Sequence, residues 1–318
     1  MHISQRGVAL ITALLVVALA TLAAVAMATR QQLDIQRTGS LLHSEQAYAY
    51  VLGAENWAKV VLIRDRKDSE IDTLSEDWAT QPPASIVEGG SIFGRILDLQ
   101  GRFNVNGLVA GGEANADAVE SYKRLLILLD LDEGLADALV DWIDENIDVR
   151  FPDGAEDDTY LLLPTPYRAA NRPLVDISEL RLVKGYEPKV IEKLRPFVVA
   201  LPEATPINVN TASAEVLSTV AEDLGLSDGE ALVEARGEKG FESVDSFLKE
   251  DALAGKKVNP ASLGVQSNWF LMVSEANIGQ GRARLASLIQ RTPDATRVVR
   301  RQREFVEAIT VQTEEQDE

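Results

Sequence analysis

Residues 7–29 read GVALITALLVVALATLAAVAMAT, a run of 23 residues without a charged side chain between Arg6 and Arg30. At the helical rise of about 1.5 Å per residue the run measures about 35 Å, enough to cross a hydrocarbon core of roughly 30 Å. A cleaved secretory signal is the alternative, because Ala26-Met27-Ala28 has the small-x-small pattern of a cleavage site. However, the apolar core of such a signal is only roughly 7–15 residues long. The run therefore predicts a membrane-spanning helix over residues 8–29.

The sequence beyond this run stays compatible with a helix. Apolar positions recur through RQQLDIQRTGSLLHSEQAYAYVLGAENWAKVVLIR, although Gly39 and Gly53 interrupt them. Each glycine weakens a helix by about 1 kcal/mol relative to alanine. We expect one continuous helix from Val8 to about Arg64, roughly 85 Å long at the standard rise.

The composition excludes several classes of function. The chain has 318 residues, 50 acidic and 31 basic side chains, a formal net charge of −19, no cysteine, and histidine only at His2 and His43. Disulfides, cysteine-based zinc sites and thiol nucleophiles are therefore impossible, and histidine-dependent catalysis has few candidates. The acidic surplus argues against nucleic acid, which is bound through clustered Lys and Arg.

The negative charge is concentrated in one segment. Residues 130–158 hold 12 carboxylates and one base, Arg150. Ca²⁺ takes six to eight oxygen ligands from such loops, often beside a glycine that permits a tight turn. The spacing is not that of an EF-hand, and the absence of nearby Cys or His favours a hard cation over zinc. The alternative interpretation is an acidic loop that water alone solvates.

The remaining pattern predicts two kinds of structure. Residues 91–109, and later Trp269–Ile278, Arg282–Gln290 and Thr296–Arg303, have the composition of strands. Between them, roughly over 112–260, the apolar spacing is helical. We therefore expect an α+β fold, in which a large all-α domain interrupts a small antiparallel sheet.

Two segments in the helical region resemble helix-hairpin-helix (SAM-like) modules. They are VDISELRLVKGYEPKVIEKLRPFV and INVNTASAEVLSTVAEDLGLSDGEALVEAR. DNA-binding versions present backbone amides from an open hairpin to a phosphate. The second hairpin here reads VAEDLGLSDGE, whose carboxylates would repel a phosphate, so a scaffold role is favoured. Thr211 lies where a helix N-cap is expected and needs no further role.

The N-terminus carries a family resemblance. A short polar leader, MHISQRG, and a glycine directly before the membrane helix resemble type IV prepilins and type II secretion pseudopilins. The resemblance implies that a prepilin peptidase cuts after Gly7 and methylates Val8. Most members have Glu at the fifth mature position, where this chain has Thr12. Lacking that carboxylate is typical of one branch, the general secretion pathway protein K family.

Further motifs point to the same branch. LVDWIDENIDVRFPDGAEDDTY, PYRAANRP and INVNTA resemble successive segments of the K family. The resemblance implies a minor pseudopilin that caps the pseudopilus tip, supports protein export across the outer membrane, and has no enzymatic activity. It implies minor pseudopilins I and J, other pseudopilins and the prepilin peptidase as partners, and no nucleic acid. It also implies Ca²⁺ in the acidic loop, with ligands from Asp153, Glu156, Asp157, Asp144 and Asp158.

The resemblance also divides the chain. It implies a leader at 1–7, an N-terminal helix at 8–64, a pilin-like β region at 65–111 and 261–318, and an inserted α-helical domain at 112–260. The location implied is the inner membrane of a Gram-negative bacterium, with a single span and the bulk of the chain in the periplasm. Two alternatives stay open: a membrane-anchored helix-hairpin-helix receptor for DNA, and an enzyme whose carboxylates hold a metal-activated water.

Overall fold

The computed structural model describes residues 6–303, and for residues 6 and 7 only the backbone. The helices are α1 (Arg6–Asp68), α2 (Ala116–Leu128), α3 (Leu135–Ile143), α4 (Asp157–Tyr160), α5 (Pro188–Leu194), α6 (Ala214–Leu217), α7 (Leu226–Arg236) and α8 (Val244–Phe247). The strands are β1 (Ser85–Val87), β2 (Gly90–Asp98), β3 (Phe103–Asn104), β4 (Val109–Ala110), β5 (Glu113–Ala114), β6 (Val198–Val199), β7 (Ile207–Asn208), β8 (Leu263–Gly264), β9 (Trp269–Ile278), β10 (Gly281–Arg291) and β11 (Thr296–Arg303).

Helix α1 is continuous over 63 residues, about 95 Å at standard rise. Its N-terminal half is exposed along its whole apolar surface, and burial begins only at Ala47. Among the described residues, α1 is the one helix that is long enough and apolar enough to cross a membrane. Residues 1–5 of the predicted leader, 1–7, lie outside the described residues.

The C-terminal half of α1 packs on one face of a five-stranded antiparallel sheet. The strand order is β1-β2-β9-β10-β11, and α1 contacts β2, β9, β10 and β11. Most of the side chains that fill this interface are apolar: Ala47, Val51, Ala58, Leu62, Trp78, Ile96, Phe270, Met272, Ala276 and Ile289. The three strands predicted near the C-terminus are confirmed as β9, β10 and β11, and so is the α+β fold class.

One predicted strand region, 91–109, is only half correct. Strand β2 ends at Asp98, and Phe103–Asn104 pairs instead with Val198–Val199. A 3-10 turn then follows, because the Asn104 side chain accepts the Asn106 N–H. The Asn106 amide in turn donates to two carbonyls far along the chain, those of Leu174 and Leu201. Residues 103–109 therefore belong to the helical part of the molecule.

Helices α2–α8 surround a core of their own. It contains large buried side chains such as Tyr122, Leu139, Trp142 and Phe247. The sheet is interrupted between Asp98 and Trp269, and this helical domain fills the interval. The predicted domain limits at 112 and 260 stay predictions.

The junction between the sheet and the helical domain contains a polar network. The half-buried Asp98 carboxylate accepts hydrogen bonds from Thr211 Oγ1 (2.5 Å), Ser267 Oγ (2.6 Å) and Asn208 Nδ2 (3.0 Å). The prediction that Thr211 needs no role beyond helix capping is therefore wrong. Ser213 is the N-cap of α6, and Thr211 joins the two halves of the molecule.

Candidate functional site

Helix α3 buries three carboxylates on one side. Asp137, Asp141 and the C-cap Asp144 are spaced four and three residues apart, so they follow one helix face, and all three are buried. Asp137 is balanced by cations, because Arg150 Nε lies 3.4 Å and Lys123 Nζ 3.9 Å from its carboxylate. The other two lie closer to the acidic loop, residues 153–158.

Asp141 fixes the backbone conformation of the segment that leads into the acidic loop. It has no exposed surface, and its carboxylate accepts the backbone N–H groups of Arg150 (3.1 Å) and Ala155 (2.8 Å). Gly154 is required here, because a Cβ would overlap the Asp141 carboxylate and the Arg150 carbonyl. Burial raises the pKa of Asp141, although both hydrogen bonds oppose the shift. Sequence reasoning missed Asp141, but its spacing from Asp137 and Asp144 was the available signal.

Asp144 and Glu156 are buried with little compensation. Asp144 is 2% and Glu156 3% exposed. Among the described residues, Asp144 Oδ1 and both carboxylate oxygens of Glu156 have no hydrogen-bond partner. Burial, and then the charge of Asp141, raise the pKa of Asp144 to about 6. Burial and the charges of Asp141, Asp144 and Asp157 raise the pKa of Glu156 to about 7. Such oxygens are what a buried cation requires.

The other predicted ligands are placed differently from one another. Asp157 is half-buried; it accepts the Ala169 N–H (3.0 Å) and pairs with Arg168 at 3.3 Å. Asp153 is exposed and its carboxylate lies against Gly134 at the start of α3, while Asp158 is exposed. The structure thus gathers Asp144, Glu156 and Asp157 beside Asp141 and leaves Asp153 and Asp158 at the rim.

A tighter group of carboxylates lies elsewhere. Asp65, Asp72 and Glu76 place oxygens within 4.8 Å of one another, the one such triad found among the described residues 6–303. Arg291 already neutralises two of them, at 2.7 Å from Asp65 and 2.5 Å from Asp72. Glu76 accepts the Thr73 N–H and the Trp78 indole N–H. This triad is an internal ion-pair network, since its oxygens are satisfied within the protein.

The hairpins of the two helix-hairpin-helix-like segments are not arranged to hold a phosphate. In the first, Gly185 packs against Leu135 of α3, where a Cβ would lie 2.6 Å from the leucine Cδ2. Beside it, Lys184 Nζ donates to the Asp153 carbonyl (3.1 Å) of the acidic loop. In the second, Glu222 and Asp223 are exposed at the turn. One hairpin therefore faces its own domain, and the other presents negative charge.

The residues predicted to be processed lie at the start of α1. Helix α1 begins at Arg6, so the backbone of Gly7 is helical, and Val8 is exposed. The Thr12 hydroxyl donates to the Val8 and Ala9 carbonyls, at 3.1 and 3.0 Å. Its hydrogen bonding is thus met within its own helix, whereas a carboxylate at this depth would need an external partner.

A long N-terminal helix, exposed at its apolar end and packed at its other end on an antiparallel sheet, defines a pilin-like subunit with an inserted helical domain. Two family models described as type II secretion system (T2SS), protein K match residues 101–203 and 207–266. Type II secretion system protein K of Pseudomonas aeruginosa is 43% identical over 305 residues, which cover 92% of this chain and 91% of that protein. The Klebsiella pneumoniae protein of the same name is 35% identical over 321 residues, or 95% and 97% of the two chains.

A solved structure agrees with these sequence matches. It is one chain of the crystal structure described as the GspK-GspI-GspJ complex of the enterotoxigenic Escherichia coli type 2 secretion system. It aligns with a TM-score of 0.75 and 32% identity, over 85% of this chain and 99% of that chain. The chain belongs to the type II secretion system protein K family.

Proposed function

We propose that this chain is the minor pseudopilin that caps the pseudopilus tip in complex with minor pseudopilins I and J, and that it supports protein export across the outer membrane. Its role is structural and not enzymatic. The observation that carries the proposal is the match to the complex described above, in which the related chain assembles with these two partners. The exposed apolar half of α1 supports it, since that surface requires lipid or neighbouring helices.

The proposed location follows from the same helix. A single span over about residues 8–29 would anchor the chain in the inner membrane, and the sheet and helical domain would lie in the periplasm. Prepilin peptidase would cut after Gly7 and methylate Val8. Other pseudopilins would pack below, against the rest of α1.

A tip position has a physical rationale in two features. The large helical domain would obstruct a further subunit above this one. Thr12 also replaces the carboxylate that ties other members to the amine of a neighbour, and its hydroxyl bonds only within α1. A subunit without that tie is suited to the first position of a filament.

Co-purification tests the assembly. When this chain is co-expressed with the I and J subunits of its own system, we expect one complex containing all three. Thr12→Glu should redistribute the chain away from the tip, whereas Thr12→Val should behave as the unaltered chain because the hydroxyl has no external partner. Recovery of this chain without I and J, or normal assembly and secretion both in Thr12→Glu and after deletion of residues 112–260, would contradict the proposal.

We further propose that the acidic loop binds Ca²⁺. Asp144, Glu156 and Asp157 would hold the ion, with Asp153 and Asp158 as rim ligands. The support is the set of buried, unpartnered carboxylate oxygens on Asp144 and Glu156. A bound Ca²⁺ would supply positive charge that neutralises these carboxylates and fixes the loop against α3.

Thermal unfolding with and without Ca²⁺ tests this site. Millimolar Ca²⁺ should raise the melting temperature of the unaltered chain after chelator treatment. Glu156→Gln should lose most of that rise, whereas the matched variant Glu222→Gln, at an exposed position of the second hairpin, should keep it. An equal rise in the unaltered chain and in Glu156→Gln, or no rise in either, would refute the assignment.

A further inference from the structure

An exposed apolar loop precedes the acidic loop. Ile147, Val149 and Phe151 are 73%, 54% and 95% exposed. They occupy alternate positions in a segment without regular secondary structure, directly after the C-cap of α3. Three large apolar side chains this close together and this exposed are typical of a contact surface. We name Ile147, Val149 and Phe151 the apolar loop.

The fold holds these side chains in the solvent. Arg150, which lies between two of them, is turned back onto α3. Its backbone N–H donates to the Asp141 carboxylate, and its guanidinium donates to the Asp137 carboxylate. The segment is also held near its start, because the Asn171 side-chain amide donates to the Asn146 carbonyl at 3.0 Å. The exposure of the apolar loop is therefore a property of an anchored backbone.

The rim of the apolar loop is negatively charged. Glu145 and Asp148 are exposed along the same segment. The neighbouring bases are already engaged, since Arg150 pairs with Asp137 and Arg168 with Asp157. A surface of this kind repels anionic lipid and attracts a partner with the opposite charge around an apolar centre.

We propose that the apolar loop docks a protein whose contact surface is apolar at its centre and bordered by Lys or Arg. Ile147, Val149 and Phe151 would be buried against the apolar centre, and Glu145 and Asp148 would face the basic border. The inference rests on the exposed side chains and their rim alone, so it is independent of the pseudopilin assignment and of Ca²⁺.

A defined peptide tests the chemistry. The full chain in nanodiscs of zwitterionic lipid is titrated with a fluorescent peptide of alternating Leu and Lys, and with a matched peptide of alternating Leu and Glu. We expect the Leu/Lys peptide to bind more tightly, and its affinity to weaken as salt screens the rim. The double variant Ile147→Ser/Phe151→Ser should bind it at least tenfold more weakly. Ile86→Ser is the matched control, because Ile86 is 92% exposed on β1.

Each outcome decides the proposal. Because the substituted side chains lie in solvent, both variants should keep the melting temperature of the unaltered chain, so a loss of binding reports the contact itself. The proposal is overturned if the unaltered chain does not bind the Leu/Lys peptide or if the double variant binds it equally well. It is also overturned if both peptides bind alike, or if anionic vesicles and not the peptide show the dependence on Ile147 and Phe151.

Discussion

Single buried charges explain how the end of α1 is held to the sheet. Arg291 is buried at the end of β10, donates to the carboxylates of Asp65 and Asp72, and stacks on the Phe270 ring at 4.6 Å. It also donates to the Ser267 carbonyl. One guanidinium thus connects α1, the segment after it and two strands, and this role requires the planar set of donors that only Arg offers.

Removing this guanidinium should be costly. Arg291→Ala leaves Asp72 charged and buried, and we expect a loss of about 3–5 kcal/mol in the free energy of unfolding. The matched control is Arg64→Ala, whose pair with Asp77 is exposed on both sides and should contribute only about 0–1 kcal/mol. Urea denaturation measures both. Similar losses in the two variants would show that Arg291 does not hold the junction.

A single glycine should control the acidic loop. Gly154→Ala places a Cβ on the Asp141 carboxylate, and should abolish the rise in melting temperature with Ca²⁺. Gly107→Ala is the control, because a Cβ there meets no described atom within 4 Å. We expect it to alter stability by no more than about 0.5 kcal/mol. An unchanged Ca²⁺ response in Gly154→Ala would contradict the placement of Asp141.

The end of α3 and the loop after it hold two buried carboxylates, Asp144 and Glu156, whose charge is only weakly compensated in the metal-free protein. The pKa of Asp144 is raised to about 6 and that of Glu156 to about 7. Their values in an unfolded chain are about 3.9 and 4.3. Between these limits the folded chain binds more protons than the unfolded chain, so these two groups lower stability as pH rises.

The pH dependence should therefore have a defined sign. In the metal-free chain, Glu156→Gln should have little effect near pH 4 and should stabilise on the order of a few kcal/mol at pH 7.5, since it removes the uncompensated charge. Ca²⁺ should stabilise the unaltered chain more at pH 7.5 than at pH 5. Melting temperatures across this range measure both effects. If Glu156→Gln destabilises the metal-free chain at pH 7.5, Glu156 is compensated in some other way.

Sequence patterns predicted the elements with a strong local signal. Strands β9, β10 and β11 followed from their composition and from the glycine and proline residues that separate them, and α1 followed from its apolar length. Residues 103–109 were misassigned because their apolar side chains pack against distant segments, through Asn104 and Asn106. Thr211 was missed for the same reason, because its partner Asp98 lies far away in the chain and local spacing does not specify such a contact. Asp141 was overlooked although its partners Arg150 and Ala155 are near in the chain and its spacing from Asp137 and Asp144 was a local signal.

Different regions of the whole molecule are suited to different contacts. The exposed apolar half of α1 is suited to membrane and neighbouring helices, the sheet anchors the rest of α1, and the inserted domain carries the acidic surface. The net charge of −19 over the chain is concentrated in that domain, because residues 130–158 alone hold 12 carboxylates and one base. Such a surface opposes nucleic acid.

Duplex DNA should therefore not bind. A gel-shift experiment at low salt, where electrostatic binding is strongest, should show free DNA at all concentrations of the chain. A shift that weakens steeply with salt would favour the membrane-anchored DNA receptor instead. Reversing the charges of the second hairpin with Glu222→Lys and Asp223→Lys would then indicate whether that hairpin makes the contact.

The mature N-terminus tests the pseudopilin assignment most directly. The chain is isolated from cells that contain its prepilin peptidase, and its first residue is determined by mass spectrometry. We predict that it begins at a methylated Val8. A chain that begins at Thr29 would be an ordinary secreted protein, and one that begins at Met1 would be an uncleaved membrane anchor; either result would contradict the account.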